Sequence, residues 1–274
     1  MREASTAITD RSSTRRAGAP VAGTAVFRAL LRRELSERHQ GTLGGWAWGL
    51  LQPLLQFVVL AFVFTRLLPS RVSGDQLPYA AFLALGLWPW QVFADALTRA
   101  TTALTDNAAM IGKIAVPNAY YVLTRMAGSA IYNLAGFIVV LGLLFAFRVP
   151  ITLLGLPVVL LALVLIALHA IACGFVLATL QVFLRDTAQV IVQLISLGFF
   201  LSPVLYDIKR FPSAGAQLLR FNPMAPPIEA IRAALTGNAV EWTMLGYSLA
   251  MAVVGLLVAR WLFRRAQPHV EDFL

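Results

Sequence analysis

The side chains of this chain that could carry out chemistry are few and far apart. Its three histidines lie in separate parts of the sequence: His39, His169 and His269. The single cysteine, Cys173, has no partner for a disulfide or a cysteine-based metal site. Asp95 is the only acid near the interior of a segment long and apolar enough to span a membrane. Because acid–base and metal catalysis both need such groups in clusters, we expect neither a catalytic residue nor a metal site.

A nucleotide-binding loop is excluded by spacing. A Walker motif reads GxxxxGK[ST], with glycines that let backbone amides cradle the phosphates. The only Gly-Lys pair, Gly112 and Lys113, is followed by Ile114 and lacks the upstream glycine. The chain is therefore predicted to have no ATPase site of its own and not to be an enzyme.

The composition indicates a membrane protein. The 274 residues are 59% hydrophobic and only 13% charged, with a mean hydropathy of +0.75, which lies outside the range of soluble domains. A helix crosses a bilayer with roughly 20 apolar residues. Six stretches without charged residues predict six crossings: 40–65, 76–93, 126–147, the later part of 149–184, 187–206 and 242–259.

The stretch before the first crossing predicts a helix that lies on the membrane surface. Four apolar residues recur at helical spacing, with charged residues largely around the remaining face: Phe27, Leu30, Leu31 and Leu35 against Arg28, Arg32, Arg33 and Glu37. The helix either anchors the chain or docks a partner. We divide the chain into a disordered cytoplasmic leader (1–22), this interface helix (23–41), a six-span domain (42–265) and a cytoplasmic tail (266–274).

The charge distribution predicts the orientation. An even number of crossings places both termini on one side of the membrane. Most of the 22 Lys and Arg residues fall in segments on the side of the N-terminus, and such segments are cytoplasmic in most membrane proteins. We therefore expect both termini in the cytoplasm.

Between the fifth and sixth crossings, prolines and charges interrupt the apolar pattern. Five prolines lie within 203–236, which rules out one continuous helix, and charged residues make two further crossings improbable. The stretches "AGAQLLRF" and "PIEAIRAAL" nevertheless carry helical apolar spacing. We predict short re-entrant helices that cover the outer mouth of a channel, because broken helices at membrane depth need protein or water around them.

Several stretches, in order, resemble one known family. They are "LRRELSERHQGTLGGWAWGLLQPLL", "GLWPWQVFADALTRA", "NAAMIGKIAVPNAYYVL", "LQVFLRDTAQVIVQLISLGFFLSPVLY", "FNPMAPPIEAIRAAL" and "VEDFL". Together they resemble the permease subunit of ABC type-2 polysaccharide exporters, a group that includes the Wzm-type O-antigen, teichoic acid and capsule permeases. The resemblance runs from about residue 27 to the C-terminus, and the leader before it is longer than is usual in that family.

The resemblance implies partners and a location. It implies a homodimer in the bacterial inner membrane, joined to two copies of a separate ATPase subunit that binds ATP and Mg²⁺. The chain itself would hold no cofactor and bind no nucleic acid. It would contact membrane lipids and move a lipid-linked polysaccharide out of the cytoplasm.

The resemblance also implies roles for particular residues. Aromatic residues of the first and fifth spans would line the channel: Phe57, Phe62, Phe64, Phe199, Phe200 and Tyr206. The ATPase would be contacted by Arg28, Arg32, Arg33, Asn107, Lys113 and Pro117. The lipid headgroup of the substrate or a cytoplasmic gate would involve Arg185 and Asp186. The outer gate would contain Phe211, Leu218, Phe221, Pro223 and Ile228.

The residues alone leave alternatives open. The aromatic side chains could pack against helices or lipid rather than line a pore, and Arg185 could simply pair with Asp186. At the level of function, an ABC exporter of a drug or small lipid would keep the same architecture. A membrane scaffold for glycan synthesis that transports nothing is a third reading.

Overall fold

The computed structural model describes residues 23–37, 45–63, 77–113, 116–208 and 221–274, and these residues form helices and turns without a strand. The α-helices in these ranges are α1 (Gly23–Glu37), α2 (Gly45–Phe62), α3 (Tyr79–Thr101), α4 (Asn118–Ala146), α5 (Leu156–Phe183), α6 (Thr187–Leu201), α7 (Ala225–Thr236) and α8 (Trp242–Phe273). Short 3-10 helices cover Thr105–Asn107 and Leu153–Gly155. The prediction of an all-helical chain is confirmed, and the predicted leader lies outside the described residues.

Four helical segments among the described residues are long and apolar enough to cross a membrane. They are Tyr79–Thr101, Asn118–Ala146, Leu153–Phe183 and Trp242–Val270. Helix α6 is apolar but has only 15 residues. At 1.5 Å per residue it spans roughly 22 Å, short of the roughly 30 Å of bilayer hydrocarbon. The count of six crossings therefore stays a prediction.

The helices extend beyond the charge-free stretches from which the crossings were predicted. Helix α3 continues past residue 93 to Thr101, and α4 begins at Asn118, before residue 126. The charged residues inside these extensions are paired, so they do not end the helices: Asp95 pairs with Arg99, and Arg125 pairs with Glu34 of α1. Helix α8 likewise runs on from residue 259 to Phe273, through most of the predicted tail.

Helix α3 occupies the centre of the molecule. It packs against α4, α5, α7, α2 and α6, and most of its side chains are buried. Trp88 and the leucines around it are almost fully enclosed, which makes α3 the frame on which the other helices are positioned. Helices α5 and α8 form the other long pair, and the rings of Phe183 and Phe273 meet at their ends, 5.1 Å apart.

The surfaces of α4, α5 and α8 that face away from this centre are apolar. Ile138, Leu160 and Leu257 are each more than 60% exposed in the single chain. Contact with lipid tails suits such side chains in a bilayer, whereas contact with water would be unfavourable. The long helices thus bury their polar groups inward and present apolar surface outward.

Candidate functional site

Five charged residues from four parts of the fold meet where α1 packs on the ends of α3 and α4. We call this group the α1 cluster: Glu34, Asp95, Arg99, Asp106 and Arg125. Its centre is Glu34, the one buried residue of α1. The Glu34 carboxylate lies 3.2 Å from Nη1 of Arg99 and 3.3 Å from Nε of Arg125. One side chain of α1 therefore holds both α3 and α4.

Each arginine of the α1 cluster also has a second acid. Nε of Arg99 lies 3.1 Å from Asp95, one turn earlier on α3, and Nη1 of Arg125 lies 2.7 Å from Asp106 in the turn after α3. The hydroxyl of Ser129 and the amide of Asn133 donate to Asp95 at 2.6 and 2.9 Å. Buried charges require such pairing, since an unpaired one is costly.

Helix α1 approaches α4 closely because α4 carries a glycine at the contact. A Cβ added at Gly128 would lie 2.8 Å from Cγ of Glu34. Nearer the start of α1, the ring of Phe27 packs edge-on against Tyr120 with centroids 6.0 Å apart. Arg28 and Arg32 lie on the opposite, exposed face of α1. The helix therefore has one face fixed on the bundle and one free basic face.

A second buried charge lies at the other end of α3. Arg232 of α7 donates to the backbone carbonyls of Phe82, Pro203 and Val204, and its guanidinium carbon sits 3.5 Å from the centre of the Phe82 ring. Glu229 accepts a further bond at 3.1 Å. We call these residues the Arg232 cluster. It joins α3, α7 and the turn after α6.

Burial lowers the pKa of Arg232, while Glu229 and Asp207 oppose that shift. A guanidinium nevertheless remains protonated in proteins. The positive charge is therefore neutralised by carbonyl dipoles and one carboxylate. A Cβ on Gly86 would lie 2.3 Å from Nη2 of Arg232, so only glycine leaves room for the guanidinium against α3.

Neighbouring contacts hold the same region. The hydroxyl of Tyr79 donates to the carbonyl of Leu205 at 3.1 Å. Asn222 donates to the hydroxyl of Ser202 at 2.9 Å and accepts from the amide of Met224. The end of α6 and the start of α7 are thereby tied to each other and to α3.

An apolar groove lies between α3 and α6. It has a volume of about 460 Å³, and Trp90 and Phe93 form part of its wall on α3. Gly198 of α6 allows the close approach, since a Cβ there would lie 2.9 Å from the Trp90 ring. Asn222 and Ser202 contribute polar groups to its lining.

The predicted channel residues differ in exposure. Phe62 and Phe200 are more than half exposed, so their rings form part of the surface of the single chain. Phe199 is buried against Trp90, with centroids 6.2 Å apart, and Phe57 packs edge-on against Trp88. These two rings therefore pack against α3 in the single chain. Tyr206 is half-buried, and Phe64 lies outside the described residues.

The predicted ATPase-contacting residues also separate into exposed and buried sets. Exposed positions are Arg28, Arg32, Arg33, Lys113 and Pro117. Arg33 pairs with Glu37 on α1, and its Nη1 lies 3.1 Å from the sulfur of Met110. Asn107, in contrast, is buried and donates to the carbonyl of Ala103 at 2.8 Å. Its side chain therefore holds the turn after α3 in place.

Arg185 and Asp186 form the exposed turn between α5 and α6. Within the described residues the two side chains form no ion pair, contrary to one of the readings left open above. Gln181 holds the turn: its amide donates to the carbonyl of Arg185 at 3.0 Å and its oxygen accepts from the amide of Ala188 at 2.7 Å. Both charged side chains are free to meet a partner.

Of the predicted outer-gate residues, Ile228 is fully buried in α7, and Phe221 is exposed with its ring 6.2 Å from that of Tyr247. Pro223 is half-buried, and its carbonyl lies 3.5 Å from the hydroxyl of Ser248. Phe211 and Leu218 lie outside the described residues. Of this region, helix α7 is thus packed in the core, whereas Phe221 before it lies at the surface.

The sequence contained a signal for both clusters that we did not use. Glu34 falls in the middle of the apolar stripe of α1, between Leu30, Leu31 and Leu35. Arg232 falls in the same way between Ile228 and Leu235 on α7. A charge at a core position of an amphipathic helix must find a buried partner, and that expectation alone singles out both residues.

The class of protein is settled by comparison with known families. The chain matches the model of the ABC-2 type transporter family over residues 25–236, a region that begins within α1 and ends with α7. It therefore belongs to the ABC-2 type transporter family.

Individual relatives cover most of the chain. An O-antigen export system permease protein RfbA from Klebsiella pneumoniae is 23% identical over 248 residues, which is 89% of this chain and 93% of that protein. A protein of the same name from Myxococcus xanthus is 29% identical over 205 residues, which is 72% of this chain and 74% of the relative.

Proposed function

We propose that this chain is the membrane subunit of an ABC exporter that moves a lipid-linked polysaccharide from the cytoplasm across the bacterial inner membrane. The observation that carries the proposal is the alignment with an O-antigen export permease over 89% of the chain and 93% of that protein. The lack of a Walker motif in the sequence supports the proposal that a separate subunit binds ATP and Mg²⁺ and hydrolyses ATP.

We further propose six crossings with both termini in the cytoplasm. Helix α2 and helix α6 with the turns after it would supply the two crossings beyond the four long helices. In this orientation the α1 cluster and the Arg185 turn lie on the cytoplasmic side, and the Arg232 cluster lies on the outer side. The exposed arginines Arg260, Arg264 and Arg265 near the end of α8 then also face the cytoplasm, as the bias of basic residues requires.

The free basic face of α1 is the surface we assign to the ATPase subunit. Arg28 and Arg32 are exposed there, and Lys113 is exposed in the loop that follows the turn after α3. Arg33 of α1 contacts Met110 in that loop, and so connects the basic face of α1 with the loop that carries Lys113. Two copies of the ATPase subunit would bind to a homodimer of this chain. Arg185 and Asp186 are unpaired within the described residues and would meet the phosphate of the lipid headgroup or the ATPase subunit.

A path for the glycan is proposed along the exposed faces of α2 and α6. Phe62 and Phe200 present free rings there, and a second copy of the chain would close the path. Sugars offer CH faces that stack on aromatic rings with modest energy, so a chain can slide without being trapped. Phe221 and Pro223 lie at the outer end of this path, where the gate is proposed.

The experiment that tests the proposed function is deletion of the gene, followed by analysis of lipid-linked species and surface glycan. We expect a lipid-linked glycan to accumulate inside the cell while surface glycan disappears, and the wild-type gene to restore export. Unchanged glycan on both sides of the membrane would contradict the proposal. Accumulation of a drug or small lipid instead would favour the second candidate, an exporter of small amphiphiles.

A further inference from the structure

We propose that Glu34 is the positioning residue through which movement of α1 reaches the membrane helices. The inference rests on the proposed function, because it assumes that a separate ATPase subunit drives export. Glu34 touches neither ATP nor the exported molecule. It would act through Arg99 and Arg125, the arginines that it joins.

The first ground is the burial of Glu34 on a helix that is otherwise exposed or half-exposed. Its side chain is 8% exposed, whereas that of Glu37, one turn later, is 44% exposed. A carboxylate that only improved solubility would face water. Burying it costs free energy that must be returned by its two arginine partners.

The second ground is that the two arginines of the pair belong to different helices. Arg99 lies near the end of α3 and Arg125 lies in the first turns of α4. Because both contacts end on one carboxylate, a displacement of α1 acts on both helices at once. Apolar contacts such as Phe27 with Tyr120 reach α4 alone.

The third ground is that both arginines keep a partner if Glu34 moves away. Arg99 retains Asp95, and Arg125 retains Asp106. Breaking a buried pair by removing one partner costs about 3–5 kcal/mol when a charge is left uncompensated, and here neither arginine is left so. The arginines would therefore stay paired both with and without Glu34, which is what a reversible mechanical link requires.

The same link includes the loop assigned to the ATPase subunit. Asp106 lies in the 3-10 turn that precedes Lys113, and it is bonded to Arg125. Arg33 of α1 contacts Met110 in the same loop. Movement of the α1 helix and movement of this loop would thus converge on Arg125.

The test compares Glu34→Gln with the matched control Glu37→Gln, each in the complex with the ATPase subunit. Two quantities are measured: ATP turnover of the purified complex, and the rate at which intact cells display surface glycan labelled with periodate and a fluorescent hydrazide. Glutamine keeps the size of Glu34 but has no charge for two arginines. We expect surface glycan per ATP hydrolysed to fall about fivefold or more in Glu34→Gln, the usual scale of coupling between sites, and to be unchanged in Glu37→Gln.

A role in stability alone would lower the amount of complex and leave glycan per ATP unchanged, and that result would overturn the proposal. If Glu34→Gln does not assemble, the double variant Glu34→Gln with Arg99→Met replaces this ion pair by neutral groups of similar size, and Asp95 keeps the hydrogen bonds from Ser129 and Asn133. We expect this variant to assemble and still to export about fivefold less glycan per ATP. Recovery of the normal ratio would show that the pair only holds α1 in place.

The deletion strain distinguishes failure of this inference from failure of the proposed function. If cells without the gene display as much labelled glycan as wild-type cells, the proposed function is wrong. If the gene is required but Glu34→Gln exports glycan at the normal ratio, only the role of Glu34 is wrong.

Discussion

The two ends of α3 each hold buried charge, and they satisfy it in different ways. At one end, the α1 cluster joins acids and arginines carried by α1, α3, α4 and the turn after α3. At the other end, Arg232 donates to three backbone carbonyls and to one carboxylate. Phe82 and Arg99 are 17 positions apart on α3, so the clusters are separated by roughly 25 Å along the helix.

The two clusters differ in whether their arginines can exchange one bonding partner for another. An arginine with two acids on different elements can keep one while it loses the other. An arginine bonded to backbone carbonyls has no such alternative. Those oxygens cannot move away from the arginine unless the backbone itself moves. We infer that the α1 cluster permits relative movement of its helices and that the Arg232 cluster prevents it. Each prediction below alters one of the two clusters.

The largest expected effect is that of Arg232→Leu. The carbonyls of Phe82, Pro203 and Val204 would lose buried donors, and we expect a loss of at least about 3 kcal/mol of stability. The measurement is the melting temperature in detergent, which should fall by roughly 10 °C. The control Arg264→Leu removes an exposed arginine from α8 and should leave it unchanged. Equal melting temperatures for the two variants would contradict the assigned role of Arg232.

An intermediate effect is expected for Gly128→Ala in the contact between α1 and α4. The added methyl group would lie 2.8 Å from Cγ of Glu34, so α1 must shift, at a cost of about 1–3 kcal/mol. The matched control is Gly142→Ala on the same helix, where an added Cβ meets nothing within 4 Å. Alanine there should be neutral or stabilising, by up to about 1 kcal/mol. Similar melting temperatures for both variants would mean that α1 does not pack on α4 as described.

The smallest expected effect is that of Asp106→Asn. The side chain of Asp106 is 45% exposed, and Arg125 keeps Glu34 when the charge is removed. We expect a loss below about 1 kcal/mol, as for other exposed ion pairs. The denaturation midpoint of the purified complex checks this. A loss as large as that of Arg232→Leu would show that the arginines of the α1 cluster cannot exchange partners.

The sequence predicted the helical architecture. Apolar periodicity and a bilayer-length rule are sufficient for that, because they depend on local spacing alone. They failed where a charge lies inside a helix. Asp95, Arg99 and Arg125 look like helix boundaries until their partners are known, and those partners are up to 91 positions away, as the pair of Arg125 with Glu34 shows.

The candidate site was less predictable than the fold. The six residues predicted to line the channel are all aromatic, but their side chains differ in burial. Phe199 is buried against α3, whereas its neighbour Phe200 is exposed. Adjacent residues of a helix point in directions about 100° apart, so tertiary packing decides which of the two is free. Asn107 shows the same limit, because its role follows from the bond to Ala103.

The rigidity of the Arg232 cluster limits how an outer gate could open. Helix α7 is buried between α3, α5 and α8, and Arg232 ties it to α3. Opening by movement of α7 within one protomer would break those bonds. We therefore expect the outer path to open by separation of two protomers, each of which keeps its Arg232 cluster intact.

The most direct test is a pair of spin-label distances, measured by pulsed electron–electron double resonance in the complex with and without ATP. One pair is Ala29 on α1 with Gln189 on α6, and the other is Leu201 with Asn238 at the outer end, all at exposed positions. Labels are placed in a Cys173→Ala background, with labelled chains diluted among unlabelled ones. We predict that ATP shifts the first distance by several ångströms and leaves the second unchanged. A shift of the outer pair, or no shift of the inner pair, would contradict the division between a movable and a fixed end of α3.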